Sequence, residues 1–240
     1  MSDTLTEPPA RILAVVAHPD DVDFGAAGTI ASWTAAGSEV VYCVVTDGAA
    51  GSIDPNVDLS SLVETRQREQ REAAKRVGVS EVEFLGYPDG RLEPTMEVRR
   101  DISRMIRTVR PGRVLTQSPE RYWERIPASH PDHMAAGEAT LRAVYPDARN
   151  PFAHPELLAD GLEAFSVPEV WMMGSPRADR CVDTTNFFEL KMAALSEHRS
   201  QLAGVGELDV RLRGWSQDTA QRFGLPDGRL AEAFHVINTA

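Results

Sequence analysis

Two stretches of this chain, RILAVVA at residues 11–17 and EVVYCVVT at 39–46, hold apolar runs without a break at 12–17 and 40–45. A strand with one wet face alternates apolar and polar residues. Unbroken runs of this length fit strands covered on both faces, the condition of a parallel sheet under crossover helices. Shorter strand candidates follow at 81–85, 113–116, 170–173, 180–183 and 231–237. Helical patterns fall between them: 25–36, closed by Gly37; 59–77, stopped by Gly78; 95–109, ending before Pro111; and 131–145, with a proline in its first turn. Asn186 and Glu189 have the spacing of a capping box that opens a helix through residue 198, and 204–222 reads as helical in part. The segment 117–130 is irregular, and 146–168, with its four prolines, reads as a surface loop. Strands and helices that alternate through the first half predict βαβ units, hence an α/β fold with an open, mostly parallel sheet and helices on both faces. No linker or repeat divides the chain, so 1–240 reads as one domain behind a flexible lead-in at 1–10.

Charge narrows the function. Lys plus Arg number 25 against 36 Asp plus Glu, a net charge of −11. Nucleic acids and anionic membranes need clustered cations, so the balance argues against both as partners. The longest apolar runs, 12–17 and 40–45, are far too short to span a bilayer, and the acidic N-terminus lacks the basic and apolar regions of a signal peptide. A soluble cytoplasmic protein is expected, and a homo-oligomer stays open. Cys43 and Cys181 are too few for a disulfide framework and read as inert buried thiols.

The first apolar run leads directly into Ala17-His18-Pro19-Asp20-Asp21-Val22-Asp23. Open parallel sheets bind ligands beyond the carboxyl ends of their strands, so these residues stand where a site is expected. Gly25 and Gly28 are present but the full GxGxxG is not, and three aspartates would repel a pyrophosphate. The same cluster attracts a cation, and an imidazole with carboxylates suits zinc or a similar first-row divalent ion. Taken alone, the segment reads equally well as a solvated acidic turn. Ser129-His130-Pro131-Asp132-His133 supplies context: it repeats the His-Pro-Asp wording more than a hundred residues later and holds two more of the six histidines. His130 precedes the proline that starts a helix and His133 lies in the first turn, an i, i+3 pair that can aim both rings into one pocket.

Leu62, Arg66, Glu69, Ala73 and Val77 share one helix face by their spacing, which puts Arg66 and Glu69 inward. A buried charge needs a partner. Either these two pair with each other, or Arg66 reaches the rim of the pocket. Lys191 and His198 share a face with Phe187 and Ala194 and read as structural.

Taken in order, the segments AHPDD, GxxGT, VTDGAAG, the Arg66-x-x-Glu69 helix, GYPDGRL and HPDH resemble the LmbE-like or PIG-L family of zinc-dependent N-deacetylases. So do Glu189-Leu-Lys191, His198-Arg-Ser-Gln201 and Ala231-Glu-Ala-Phe234, and the resemblance covers nearly the whole chain. It implies a Rossmann-like fold and one zinc per chain held by His18, Asp21 and His133, with Fe2+ accepted by the same ligand types. It implies Asp20 as general base, His130 as oxyanion stabiliser or general acid, and Asp132 as the partner that orients an imidazole. The implied reaction is hydrolysis of the N-acetyl amide of a small N-acetylglucosamine-type substrate to acetate and a free amine. An amidase acting on a thiol conjugate or another non-sugar amide is the alternative. Arg66 and Asp89 are the candidates for substrate hydroxyls or anionic groups, although Asp89 in Pro-Asp-Gly also reads as a turn residue. Mycothiol-type members carry a Tyr two residues before HPDH where this chain has Ala128. Either that assistance is missing or Tyr122 or Trp123 in the same loop replaces it. Trp123 could also stack on a sugar ring or anchor the core.

Overall fold

Strand β1 (Arg11–Val16) shows why the apolar runs are unbroken. Ile12, Ala14 and Val16 face one helical layer, Leu13 and Val15 face the other, and all five are fully buried. Strand β2 (Glu39–Thr46) repeats the arrangement, with Val40, Tyr42 and Val44 on the first side and Val41, Cys43 and Val45 on the second. Truncating a side chain such as Ile12 to alanine would cost about 2–5 kcal/mol, because neither layer can collapse freely into the space.

The structure is a computed structural model and describes residues 7–202 and 205–239. Five strands run parallel in the order β3–β2–β1–β4–β5, with β3 at Glu81–Tyr87, β4 at Arg113–Gln117 and β5 at Glu169–Met173. Strand β7 (Ala231–Asn238) pairs antiparallel with β5, and β6 (Arg180–Asp183) pairs antiparallel with β7, giving seven strands in one sheet. Helices α1 (Asp21–Ala35) and α2 (Leu59–Arg76) pack Ala26, Ile30, Ala73 and Ala74 on one face. Helices α3 (Met96–Val109) and α4 (Pro131–Arg142) pack Val98, Ile102, Ile106 and Ala139 on the other. The open, mostly parallel sheet with helices on both faces is as expected. The chain leaves β1 toward β2 and β3 on one side and returns to β4 and β5 on the other. The crevice beyond the carboxyl ends of β1 and β4 is thus the switch point where such sheets bind ligands. Both His-Pro-Asp segments lie there.

Differences from the expected elements have local causes. Helix α1 begins at Asp21 rather than at residue 25, because its glycines are sites of close packing and not breakers. A Cβ on Gly28 would stand 2.8 Å from Thr184 Cβ. Lys191 and Glu232 also reach into α1: Lys191 Nζ donates to Phe24 O at 2.7 Å, and Glu232 accepts from Gly28 N at 3.2 Å and Thr29 N at 2.8 Å. The two charges pair at 2.6 Å, both buried. The expected capping box does not form. Asp183 instead takes the N–H and hydroxyl of Thr185, a 3-10 turn covers Thr185–Phe187, and α6 (Phe188–Leu195) starts without a side-chain cap. The helix expected through residue 145 ends at Arg142 and passes into a wide turn over Ala143–Asp147, where Pro146 cannot donate. The proline-rich loop contains a short helix, α5 (Pro155–Ala159). Helices α7 (Arg199–Leu202) and α8 (Leu208–Arg222) lie between α6 and β7. Residues 1–6 of the lead-in and 203–204 at the start of the expected tail helix lie outside the described residues. Both cysteines are free; Cys43 is buried and Cys181 half-buried. No helix among the described residues is long and apolar enough to cross a membrane.

Candidate active site

Ala17 N donates to Gln117 Oε1 at 2.9 Å, which ties the end of β1 to the end of β4. His18 follows, buried, with its N–H donating to Asp21 Oδ2 at 2.7 Å. Asp20 is the N-cap of α1 and holds a left-handed backbone (φ 96°, ψ −26°), yet its side chain makes no cap bond. A non-glycine residue there stores about 1–3 kcal/mol of strain. Its carboxylate, free of the helix, lines the cleft and meets Arg66 Nη2 at a long 3.4 Å. Asp21 bridges the two segments: Oδ2 lies 3.2 Å from His18 Nδ1, and Oδ1 lies 2.9 Å from His133 Nε2.

The second segment is held by its own helix. His130 caps α4 with its ring, Nδ1 accepting from Asp132 N at 3.2 Å. A ring nitrogen that accepts carries no proton, so the proton sits on Nε2 and the neutral ring is a donor. Asp132 is buried and accepts from Gly90 N at 2.7 Å and from Leu92 N at 3.2 Å. Its Oδ2 lies 3.2 Å from His18 Nε2. A carboxylate fixed by two backbone donors takes the Nε2 proton and leaves the Nδ1 lone pair on the side of Asp21 and His133. The rings of His18, His130 and His133 form a triangle with centroids 4.9, 5.2 and 5.2 Å apart.

Burial disfavours a charged His18, but its hydrogen bonds to Asp132 and Asp21 outweigh that and push its pKa up to about 12. The cluster therefore demands positive charge at this point, which a proton or a divalent ion on Nδ1 meets. Burial also opposes ionised Asp21, yet the charge and hydrogen bond of His133 hold it well below the usual carboxylate range. Asp20 moves the other way: burial, then the charge of Asp21, push it up to about 7. That is the range of a base working near neutrality. His130 is lowered by burial and by the facing His18 and His133, in keeping with a neutral ring. Among the described residues, ligand atoms of His18, His130 and His133 lie within 4.8 Å of one another, as do those of His18, Asp89 and Asp132. Imidazole and carboxylate donors converging in this way fit a divalent metal.

Arg66 and Asp89, the candidates for substrate groups, both line the cleft and are also held by neighbouring protein groups. Arg66 is buried and does not pair with Glu69; its Nη1 donates to Gly48 O at 2.8 Å and its Nη2 to Pro19 O at 2.7 Å. A Cβ on Gly51 would stand 2.3 Å from Arg66 Nη1, so this position has room only for glycine. Glu69 accepts from Ser200 N and Oγ instead, and the second inward residue of α2 is Gln70. Asp89 accepts from Ala50 N at 3.0 Å and faces His18 Nε2 at 3.1 Å. Gln70, Asp23 and His198 form a buried polar chain that the sequence does not announce, since its members are far apart along the chain. The site opens into a cleft of about 630 Å³ lined by Asp20, His130 and His133 together with Arg121, Ile126 and Gln201. Neither Tyr122 nor Trp123 lines it, and Trp123 is 73% exposed, so it anchors no core.

The family model described as GlcNAc-PI de-N-acetylase (PIG-L) matches residues 13–144. A diacetylchitobiose deacetylase of Thermococcus kodakarensis is 35% identical over 191 residues, which cover 80% of this chain and 70% of that protein. A probable N-acetyl-alpha-D-glucosaminyl L-malate deacetylase 2 of Bacillus cereus is 32% identical over 217 residues, covering 88% of this chain and 91% of that protein. The solved structure of the N,N'-diacetylchitobiose deacetylase from Pyrococcus horikoshii matches with a TM-score of 0.88 at 29% identity, over 96% of this chain and 84% of that one. The matched region holds both His-Pro-Asp segments and more than half of the sequence, and the chain belongs to the PIG-L family of de-N-acetylases.

Proposed function

We propose that the chain is an N-deacetylase that hydrolyses the N-acetyl amide of a small N-acetylglucosamine-type substrate, releasing acetate and a free amine. The observation that carries this reading is the convergence of a strained Asp20, whose carboxylate makes no cap bond and faces the cleft, with the His18–Asp21–His133 cluster and the neutral donor His130. The relatives' names, a diacetylchitobiose deacetylase and a glucosaminyl malate deacetylase, support the substrate class. His18, Asp21 and His133 would hold the metal, zinc in this reading with Fe2+ accepted by the same donors. The bound ion supplies Lewis acidity to the amide carbonyl and brings the pKa of a water toward ~7.

The protein's own groups do the rest. Asp132 keeps His18 in the tautomer that presents Nδ1. Asp20 accepts a proton from the attacking water. His130 donates its Nε2–H to the carbonyl oxygen as negative charge develops there. The departing amine takes its proton from Asp20, because His130 is needed neutral with Nδ1 closed by the helix cap. In this reading the whole chain, 1–240, acts as one catalytic domain, in keeping with its single sheet.

The test is acetate release from N-acetylglucosamine derivatives beside a panel of thiol-conjugate amides, with metal content measured in parallel. Asp20→Asn is expected to lower kcat about 10²–10⁴-fold with the metal retained. Wild-type turnover by that variant with metal bound would sink the assignment, and a preference for the thiol conjugates would replace the substrate class.

A further inference from the structure

We propose that Gln70 and Arg66 are positioning residues that act through Asp20 by gripping the peptide unit between Pro19 and Asp20. The inference rests on Asp20 being the base of the reaction above. That peptide has one acceptor and one donor, and both are taken by α2. Pro19 O accepts from Arg66 Nη2 at 2.7 Å, and Asp20 N donates to Gln70 Oε1 at 2.7 Å. Arg66 and Gln70 stand at i and i+4, one turn apart on the same face, so one rigid helix holds both edges of a single peptide plane. Rotation of that plane is the motion by which Asp20 would leave φ 96° for an ordinary value. It would pull the Asp20 N–H from Gln70 and swing the carboxylate relative to His18 and Asp21.

The grip is itself fixed from behind. Gln70 Nε2 donates to Asp23 Oδ2 at 2.8 Å. A carboxylate only accepts, so the amide cannot turn over and Oε1 must face Asp20 N. His198 Nε2 meets the same oxygen at 2.8 Å and offsets the buried charge of Asp23. Arg66 is steadied in the same way by Gly48 O at 2.8 Å. Gln70 is fully buried and does not line the cleft, so it reaches the reaction only through Asp20.

The test is Gln70→Met, which keeps the length of the side chain and removes both polar ends. Its kcat is expected to fall about 10–100-fold, the loss that a misplaced reacting group brings, with KM within about threefold and metal content unchanged. In an Asp20→Asn background the same substitution is expected to lower kcat by less than about twofold, because the group it positions is already gone. An equal loss in both backgrounds overturns the proposal, since a general packing defect would add to Asp20→Asn. A crystal structure of Gln70→Met needs no substrate: Asp20 is expected to leave the positive-φ region, and an Asp20 still near φ 96° overturns the clamp. Wild-type protein that releases no acetate removes the deacetylase reading instead, and the backbone of Asp20 still judges the clamp.

Discussion

The same three-residue wording, His-Pro-Asp, occurs at 18–20 and at 130–132 and folds in two ways. At 130–132 it holds itself: His130 is the N-cap, its own ring accepts from Asp132 N, and Pro131 occupies the first helical position with its φ already set. At 18–20 the N-cap is Asp20, at φ 96°, with no side-chain cap bond and with its backbone held from α2. The difference teaches that one local phrase can serve two purposes. The relaxed copy aims imidazoles by helix geometry alone. The strained copy presents a carboxylate that no local bond occupies, and such a conformation persists only because tertiary contacts impose it.

The comparison breaks most completely at the point where the two copies meet. His18 touches both, through Asp21 on one side and Asp132 on the other. For His18→Ala the expected outcome is loss of the metal and of turnover to background. The loss of affinity should exceed the ~10–100-fold seen when only a ligand's outer partner is removed. Elemental analysis of the purified variant decides it. One equivalent of metal still bound would mean that His18 is no ligand and that the segments do not share an ion.

A smaller effect separates the two tasks of His130. His130→Ala is expected to lower kcat about 10²–10³-fold through loss of the donor, and to lower stability by about 1 kcal/mol through loss of the cap. His130→Asn replaces the ring with a good N-cap, so the urea midpoint should return toward wild type while kcat stays low. Recovery of both together would show that His130 works only as a cap, and the relaxed copy would then contribute nothing to the chemistry beyond His133.

How far the sequence reveals this site follows the same division. The strands were readable because burial on both faces leaves an unbroken apolar signature, as in Ile12–Val16 and Val40–Val45. His18, Asp21, His130 and His133 were readable because each sits within a few residues of a strand end or a helix start. Gln70 was not, since its partners Asp20 and Asp23 are 50 and 47 positions away and its own neighbours on α2 are ordinary. Spacing alone drew Glu69 inward, but the helix is rotated so that Arg66 and Gln70 are the buried pair. The early glycines hid the start of α1, because close approach of Thr184 and Glu232 comes from strands and turns that follow much later. Asp89 read as a turn residue and is part of a turn, yet the same turn delivers Gly90 N to Asp132 and its own carboxylate to His18.

The smallest effect belongs to the proline of the relaxed copy. Pro131 is exposed at the first position of α4, where a backbone N–H has no partner within the helix in any case. Alanine there can adopt the same φ and present its N–H to water. What is lost is the proline's restriction of the unfolded chain, about 0.4–1 kcal/mol. The cap bond of His130 and the contacts of Asp132 and His133 involve other atoms and stay in place. Pro131→Ala should therefore shift the urea midpoint slightly and leave kcat within about twofold, a difference worth under ~0.5 kcal/mol of transition-state energy. A tenfold loss of kcat would mean that α4 does not hold its imidazoles by itself. The contrast between a self-supporting segment and one imposed from outside would then have to be abandoned.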